Sequence, residues 1–171
     1  MKDKNIIKIR HYFSPCGEMI LGSFGGKLCL CDWADGRQRV SVDHRLQRIL
    51  NAEYVEGSSE VIEMARQQLD EYFLRQHREF DIPLLFIGTD FQKIVWNELL
   101  KIPYGKTISY GDLAQRIGMP NAVRAVANAN AVNAISIIAP CHRVIGSDGS
   151  LTGYGGGLER KRILLELEMH I

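Results

Sequence analysis

Residues 109–133 read "SYGDLAQRIGMPNAVRAVANANAVN". The stretch predicts two short helices, 109–118 and 121–133, around a tight turn with Gly118 and Pro120. This is the pattern of a helix-turn-helix whose second helix is offered to DNA. That second helix is unusual in composition. From Ala122 to Ala134 it holds alanine, asparagine and valine, with Arg124 as its single charge. A surface this low lets a backbone approach a groove closely. Compact packing in a core explains the alanines equally well, so both readings stay open on this stretch alone.

Upstream, "TDFQKIVWNELLKI" (89–102) begins with a cap and sets Phe91, Ile94, Val95, Leu99 and Ile102 on one helical face, and "PYGK" ends it. "SSEVIEMARQQLDEYFLRQ" (58–76) is a second amphipathic helix, capped by Ser58 or Ser59. Between them, "HREFDIPLLFIGTD" (77–90) breaks the pattern with Pro83 and Gly88 and marks a boundary between two parts, 1–85 and 86–171. The opening third alternates in the strand manner. "IIKIRHYF", "EMILGSF" and "KLCLCDW" are separated by the turn signals "SPCG" and "GG", which predicts a small antiparallel meander. In the third strand, alternation puts Cys29, Cys31 and Trp33 on one face. The fold class expected is α+β: a small amino-terminal α/β domain with an antiparallel sheet, then a mostly helical, winged-helix-like helix-turn-helix domain.

The chain has 171 residues, 46% of them hydrophobic and 24% charged, the balance of an ordinary globular protein with a real core. No apolar run approaches the roughly 20 residues of a membrane helix, and the start "MKDKNIIKIR" has no apolar secretion segment, so a cytoplasmic protein with no membrane partner is expected. Four cysteines are too few for a disulfide scaffold. The C-x-C pair at Cys29 and Cys31 has no partners at ligand spacing, so no metal is expected. Up to Leu85 there are 12 basic against 13 acidic residues, and beyond it 9 against 7, so DNA binding would depend on the placement of a few charges.

Downstream, "AISIIAPCHRVIG" (134–146) brings a thiol, an imidazole and a guanidinium to the end of an apolar run. One reading is a core strand with an inert cysteine. The other is a nucleophile, because a nearby histidine can make thiolate available. Adjacent side chains diverge on either a strand or a helix, so Cys141 and His142 would meet only through a water. A histidine base needs an orienting carboxylate, and the final helix offers Glu159, Glu166 and Glu168 without choosing among them. The glycine-rich "GYGGG" (153–157) lacks the phosphate-loop and dinucleotide patterns, so no nucleotide cofactor is expected; it does leave backbone N–H groups bare.

"PCHRV", preceded by "VNAISIIA" and followed by "GYGGGLERK", together with "IPYGKTISYGDLA", resembles the 6-O-alkylguanine-DNA alkyltransferases, from about Phe91 to Glu168. The resemblance implies a monomeric, cofactor-free DNA-repair protein. It would bind double-stranded DNA bearing 6-O-alkylguanine, move the alkyl group irreversibly to Cys141, and treat 4-O-alkylthymine in the same way. His142 would draw the thiol proton through a water, and Glu168 would hold the imidazole. Asn133 would be the hinge asparagine, and Tyr110 would rotate the target phosphate and contact the flipped base. On the second helix Arg124 would fill the vacated stack, with Ala125, Ala127 and Asn128 against the minor groove. Tyr154, Gly155, Gly156 and the Val144 carbonyl would line the substrate pocket. Two positions depart from the family pattern: Gly155 stands where serine is frequent, and Ala134 where proline is. A non-catalytic lesion binder or helix-turn-helix regulator of the same fold, and a cysteine hydrolase, are the competing classes.

Overall fold

The computed structural model describes residues 3–76 and 78–169, so His77, the first residue of the expected boundary segment, lies outside the described residues. Strands β1 (Asn5–Ser14), β2 (Gly17–Phe24) and β3 (Lys27–Trp33) form the expected meander. The sequence reading missed the next two elements, helix α1 (Arg39–Leu50) and strand β4 (Ala52–Glu56). β4 pairs parallel to β1 and completes the order β3-β2-β1-β4. Only Val42 and Leu46 of α1 are buried, too few to mark a helical stripe. A left-handed Asn51 then turns the chain directly into β4.

The sheet is covered on both faces. Val42 and Leu46 of α1 pack on Ile7, Ile20, Cys29 and Leu30. Helix α2 (Glu60–Phe73) packs Val61, Ile62, Ala65 and Leu69 on the other face, against Met19, Leu21, Leu28, Cys31 and Trp33. The expected grouping of Cys29 with Cys31 and Trp33 is wrong. Gly22 pairs with Leu30 but Ser23 with Leu28, so Cys29 is the extra residue of a β-bulge. One inserted residue reverses the alternation and sends the two cysteines to opposite faces.

The remaining elements are α3 (Asp90–Leu99), β5 (Ile108–Ser109), α4 (Tyr110–Arg116), α5 (Val123–Ala131), a 3₁₀ turn (Cys141–Arg143), β6 (Val144–Ile145) and α6 (Leu158–Met169). The helix-turn-helix is α4 and α5. Helix α3 faces inward with Val95, Trp96 and Leu99, while Ile94, expected on that face, is exposed. Trp96 takes the place of Ile94 on the buried face, and its indole N–H donates to the Ala129 carbonyl at 2.8 Å. Thr89 and Gln92 form a reciprocal capping box at the start of α3. Thr89→Ala should lower stability by about 1 kcal/mol in denaturant unfolding, leaving the unfolding slope unchanged.

One apolar core runs through both parts of the chain, from Leu28 and Trp33 to Val126, Cys141 and Leu164. The outer edge of β3 is covered by two connecting segments. Leu28 exchanges backbone hydrogen bonds with Pro83 and Leu85, and Cys31 with Ala134 and Ser136, at 2.7–2.9 Å. An edge strand closed in this way does not pair with other chains, and here it also anchors the segment leading to Cys141. Among the described residues, no helix is long and apolar enough to cross a membrane.

Candidate active site

The run Ile135–Ala139 is buried, as a core strand would be, but apart from one bridge to Cys31 it is coiled. Ile137 has φ +70°, a costly conformation for a β-branched residue. Hydrogen bonds from Ile138 N to Ser136 O (2.8 Å) and from Ala139 N to Ile135 O (3.1 Å) hold the coil. Asn133 fastens it from within: its side-chain amide donates to Ile135 O (3.1 Å) and Ala139 O (2.9 Å) and accepts from Ile135 N (3.0 Å). At Ala134 the chain is fixed by its carbonyl to Cys31, so it is tied down here without a proline.

Cys141 opens the 3₁₀ turn and is 3% exposed. Burial pushes its thiol up to about 11, while the neighbouring Asn133 amide and Lys161 cation favour thiolate. His142 is wholly buried, with Nε2 2.5 Å from Glu168 Oε2. Burial lowers its pKa from the usual 6.5, and the Glu168 charge opposes that. Burial alone would raise the Glu168 carboxyl, yet contacts with His142 and Arg143 hold it well below the carboxylate range. Glu168 also accepts from Arg143 Nε (2.8 Å), Tyr72 Oη (2.6 Å) and Gly105 N (3.2 Å). The ionised carboxylate has only acceptors, so His142 Nε2 must carry the hydrogen and Nδ1 the lone pair. Nδ1 is buried and has no hydrogen-bond partner among the described residues. The imidazole is thus held neutral, with its Nδ1 lone pair unshared.

Tyr110 follows the Ser109 cap at the start of α4, and its hydroxyl donates to Thr152 O at 2.7 Å. Tyr154 is 4% exposed and accepts from the Trp33 indole N–H at 3.0 Å. A Cβ on Gly155 would lie 2.9 Å from Ala131 O, and one on Gly156 2.4 Å from Trp33 Cδ1, so close packing requires both glycines. The Gly155 carbonyl also accepts from Arg37 N, which makes the loop here fixed rather than loose. On α5, Arg124, Ala125 and Asn128 are exposed and Ala127 half-buried, and Arg124 makes no hydrogen bond or ion pair among the described residues.

Four residues escaped the sequence reading. Arg143 and Tyr72 complete the Glu168 cluster. Lys161 is fully buried, donates to Val144 O and Thr152 O at 2.6 Å, and is pushed down to about 8 by burial. Asn130 donates to Cys141 O at 3.2 Å. For Arg143 the signal was its place beside His142; for Lys161 it was the i, i+7 spacing to Glu168 on one helical face. Among the described residues, no three His, Cys, Asp or Glu side chains cluster as metal ligands.

Fold and site together define a class: a helix-turn-helix protein with a buried cysteine, histidine and carboxylate gathered behind its second helix. Residues 90–170 match the family described as "6-O-methylguanine DNA methyltransferase, DNA binding domain". Over 165 residues the chain is 46% identical to a methylated-DNA–protein-cysteine methyltransferase of Mycobacterium leprae, covering 96% of this chain and 94% of that one. A solved structure of Mycobacterium tuberculosis OGT in complex with DNA superposes with a TM-score of 0.80 at 43% identity, covering 96% and 93% of the two chains. The constitutive enzyme of Bacillus subtilis is 40% identical over 161 residues, 91% of each chain. The chain belongs to the methylated-DNA–protein-cysteine methyltransferase family. Its activity is the one that name states, direct repair by transfer of a methyl group from DNA to a protein cysteine.

Proposed function

We propose that Cys141 is the acceptor, and that residues 86–171 form the DNA-binding and transfer domain carried on a supporting domain, 1–85. The observation that carries this is the free, buried Nδ1 of His142 beside a buried thiol, with Nε2 locked on Glu168. A thiol with a pKa of about 11 is only about 10⁻⁴ ionised at pH 7, so a base is required. The proton leaves Sγ for His142 Nδ1 through a water. The sulfur then attacks the alkyl carbon, the carbon–oxygen bond to guanine O6 breaks, and its electron pair stays on guanine. Guanine takes up one proton, and Cys141 is left as a thioether. A thioether is not hydrolysed, so each molecule acts once. The Lys161 cation favours the thiolate as it forms.

The target base must leave the stack, at a cost of a few kcal/mol. Helix α5 has the low surface for a minor groove, with Ala125, Ala127 and Asn128 on the DNA side and Arg124 free to enter the gap. Tyr110, Tyr154, Gly155, Gly156 and the carbonyls of Cys141 and Val144 receive the flipped base, and Asn133 holds the nucleophile's segment to the helix. The partner is double-stranded DNA with 6-O-alkylguanine, or 4-O-alkylthymine. The protein acts as a cytoplasmic monomer.

Mixing the protein with a duplex bearing one 6-O-methylguanine should add one methyl to the Cys141 peptide and stop at one equivalent. Binding with no change in mass would instead make it a lesion sensor. Arg124→Ala should slow transfer from duplex on the order of tenfold or more, and from the free base by less than about twofold, because only the duplex needs its stack filled. Equal losses would remove Arg124 from base flipping.

A further inference from the structure

The amino-terminal sheet sends one large side chain into the alkyl-transfer site. Trp33, the last residue of β3, is fully buried, and its indole N–H donates to the Tyr154 hydroxyl at 3.0 Å. The ring is held closely: the Arg160 guanidinium lies 4.6 Å from its centroid, and Gly156 approaches its Cδ1 and Nε1 so closely that a Cβ there would overlap them. Arg160 is itself fixed by Cys16 O and Asp35. Next to Trp33, Asp32 accepts from Ser136 Oγ at 3.2 Å, and Ser136 lies on the coil between Asn133 and Cys141. The end of β3 therefore holds both the thiol's segment and the glycine-rich loop. Tyr154 stands between the two and lines a groove of about 390 Å³ with Gln38, Ala131, Thr152 and Leu158.

We propose that Trp33 is a specificity-determining residue for the alkyl group: by holding the Tyr154 hydroxyl it fixes the wall against which the alkyl group lies, and so limits its size. This rests on Cys141 being the acceptor and on Tyr154 lining the pocket for the flipped base. A tyrosine held only by packing swings with less cost than one that must also break a buried hydrogen bond, a difference of about fivefold in population. A small alkyl group gains little from such movement, while a bulky one needs it.

The test uses single-turnover transfer from duplexes carrying either 6-O-methylguanine or 6-O-benzylguanine, read as the mass gained at Cys141. Trp33→Phe removes the N–H together with part of the buried ring volume, and should raise the benzyl-to-methyl rate ratio about fivefold. Tyr154→Phe, which removes the acceptor, should raise it equally, and the double variant no further. If Trp33→Phe does not fold, as read by its melting curve, the Tyr154→Phe ratio decides alone. An unchanged or lowered ratio, with both rates falling together, would reduce Trp33 to a structural support and overturn the proposal. Absence of any transfer by the unaltered protein would instead sink the acceptor assignment.

Discussion

Glu168→Gln should slow alkyl transfer on the order of a thousandfold and destabilise the protein by about 3 kcal/mol, although it changes one oxygen to nitrogen. The rate is lost through the tautomer. A glutamine amide turned toward His142 donates to Nε2, which forces the hydrogen onto Nδ1 and removes the lone pair that takes the Cys141 proton. Turned the other way, it accepts from Nε2 but sets its NH₂ against the Arg143 guanidinium, which now donates at 2.8 Å to Glu168 Oε1. Either choice leaves the buried Arg143 charge without its counter-ion, the main source of the stability loss. Single-turnover kinetics and denaturant unfolding measure the two effects separately.

The pH dependence of stability gives the same prediction an independent reading. The folded-state pKa of Glu168 lies well below its usual value of 4.5, so its contribution is complete above pH 4.5 and is lost as pH falls toward the folded value. The unaltered protein should show this acid-side loss, and Glu168→Gln should lack that part of it. An identical acid profile in both proteins would mean that the cluster is not ionised as described.

The helices that present and bury the site were legible because their signals are local: a Ser59 or Thr89 cap, a stripe of apolar residues, and a turn at Gly118 and Pro120. Helix α1 was not legible, since it buries two residues and exposes other apolar ones, Val40 and Ile49, and a helix supported mostly by tertiary contact has little sequence pattern. The β3 face assignment failed because one extra residue in a bulge reverses a period of two, and nothing in "KLCLCDW" announces it. The coil at 134–139 reads as a strand because both are apolar; what prevents the strand is the Asn133 side chain, which takes the hydrogen-bonding groups a neighbouring strand would use.

Charged residues of the site were hidden for a related reason. Lys161 and Arg143 look like solvated cations in a sequence, and three glutamates of α6 were equivalent until a resemblance selected one. Burial distinguishes them: Glu168 is 2% exposed, whereas Glu159 and Glu166 pair with Arg162 on the outer face. A carboxylate is kept inside only where enough donors compensate its lost hydration, and Glu168 has donors on four residues.

Cys141→Ser should abolish alkyl transfer while leaving folding and binding to alkylated duplex nearly intact. The hydroxyl is smaller than the thiol by a fraction of a methyl volume, so stability should change by less than about 1.5 kcal/mol. The chemistry does not survive the exchange. An alcohol is harder to ionise than a thiol by several pKa units, and here burial adds to the cost; His142, whose own pKa is lowered, is too weak a base to bridge that gap. Intact-mass measurement over hours should find no methyl on the variant. A gel-shift or anisotropy titration should find its affinity for the lesion duplex within a few-fold of the unaltered protein. Methyl appearing on the variant at another residue would move the acceptor away from Cys141; loss of binding together with transfer would mean that the thiol shapes the helix-turn-helix as well as reacting behind it.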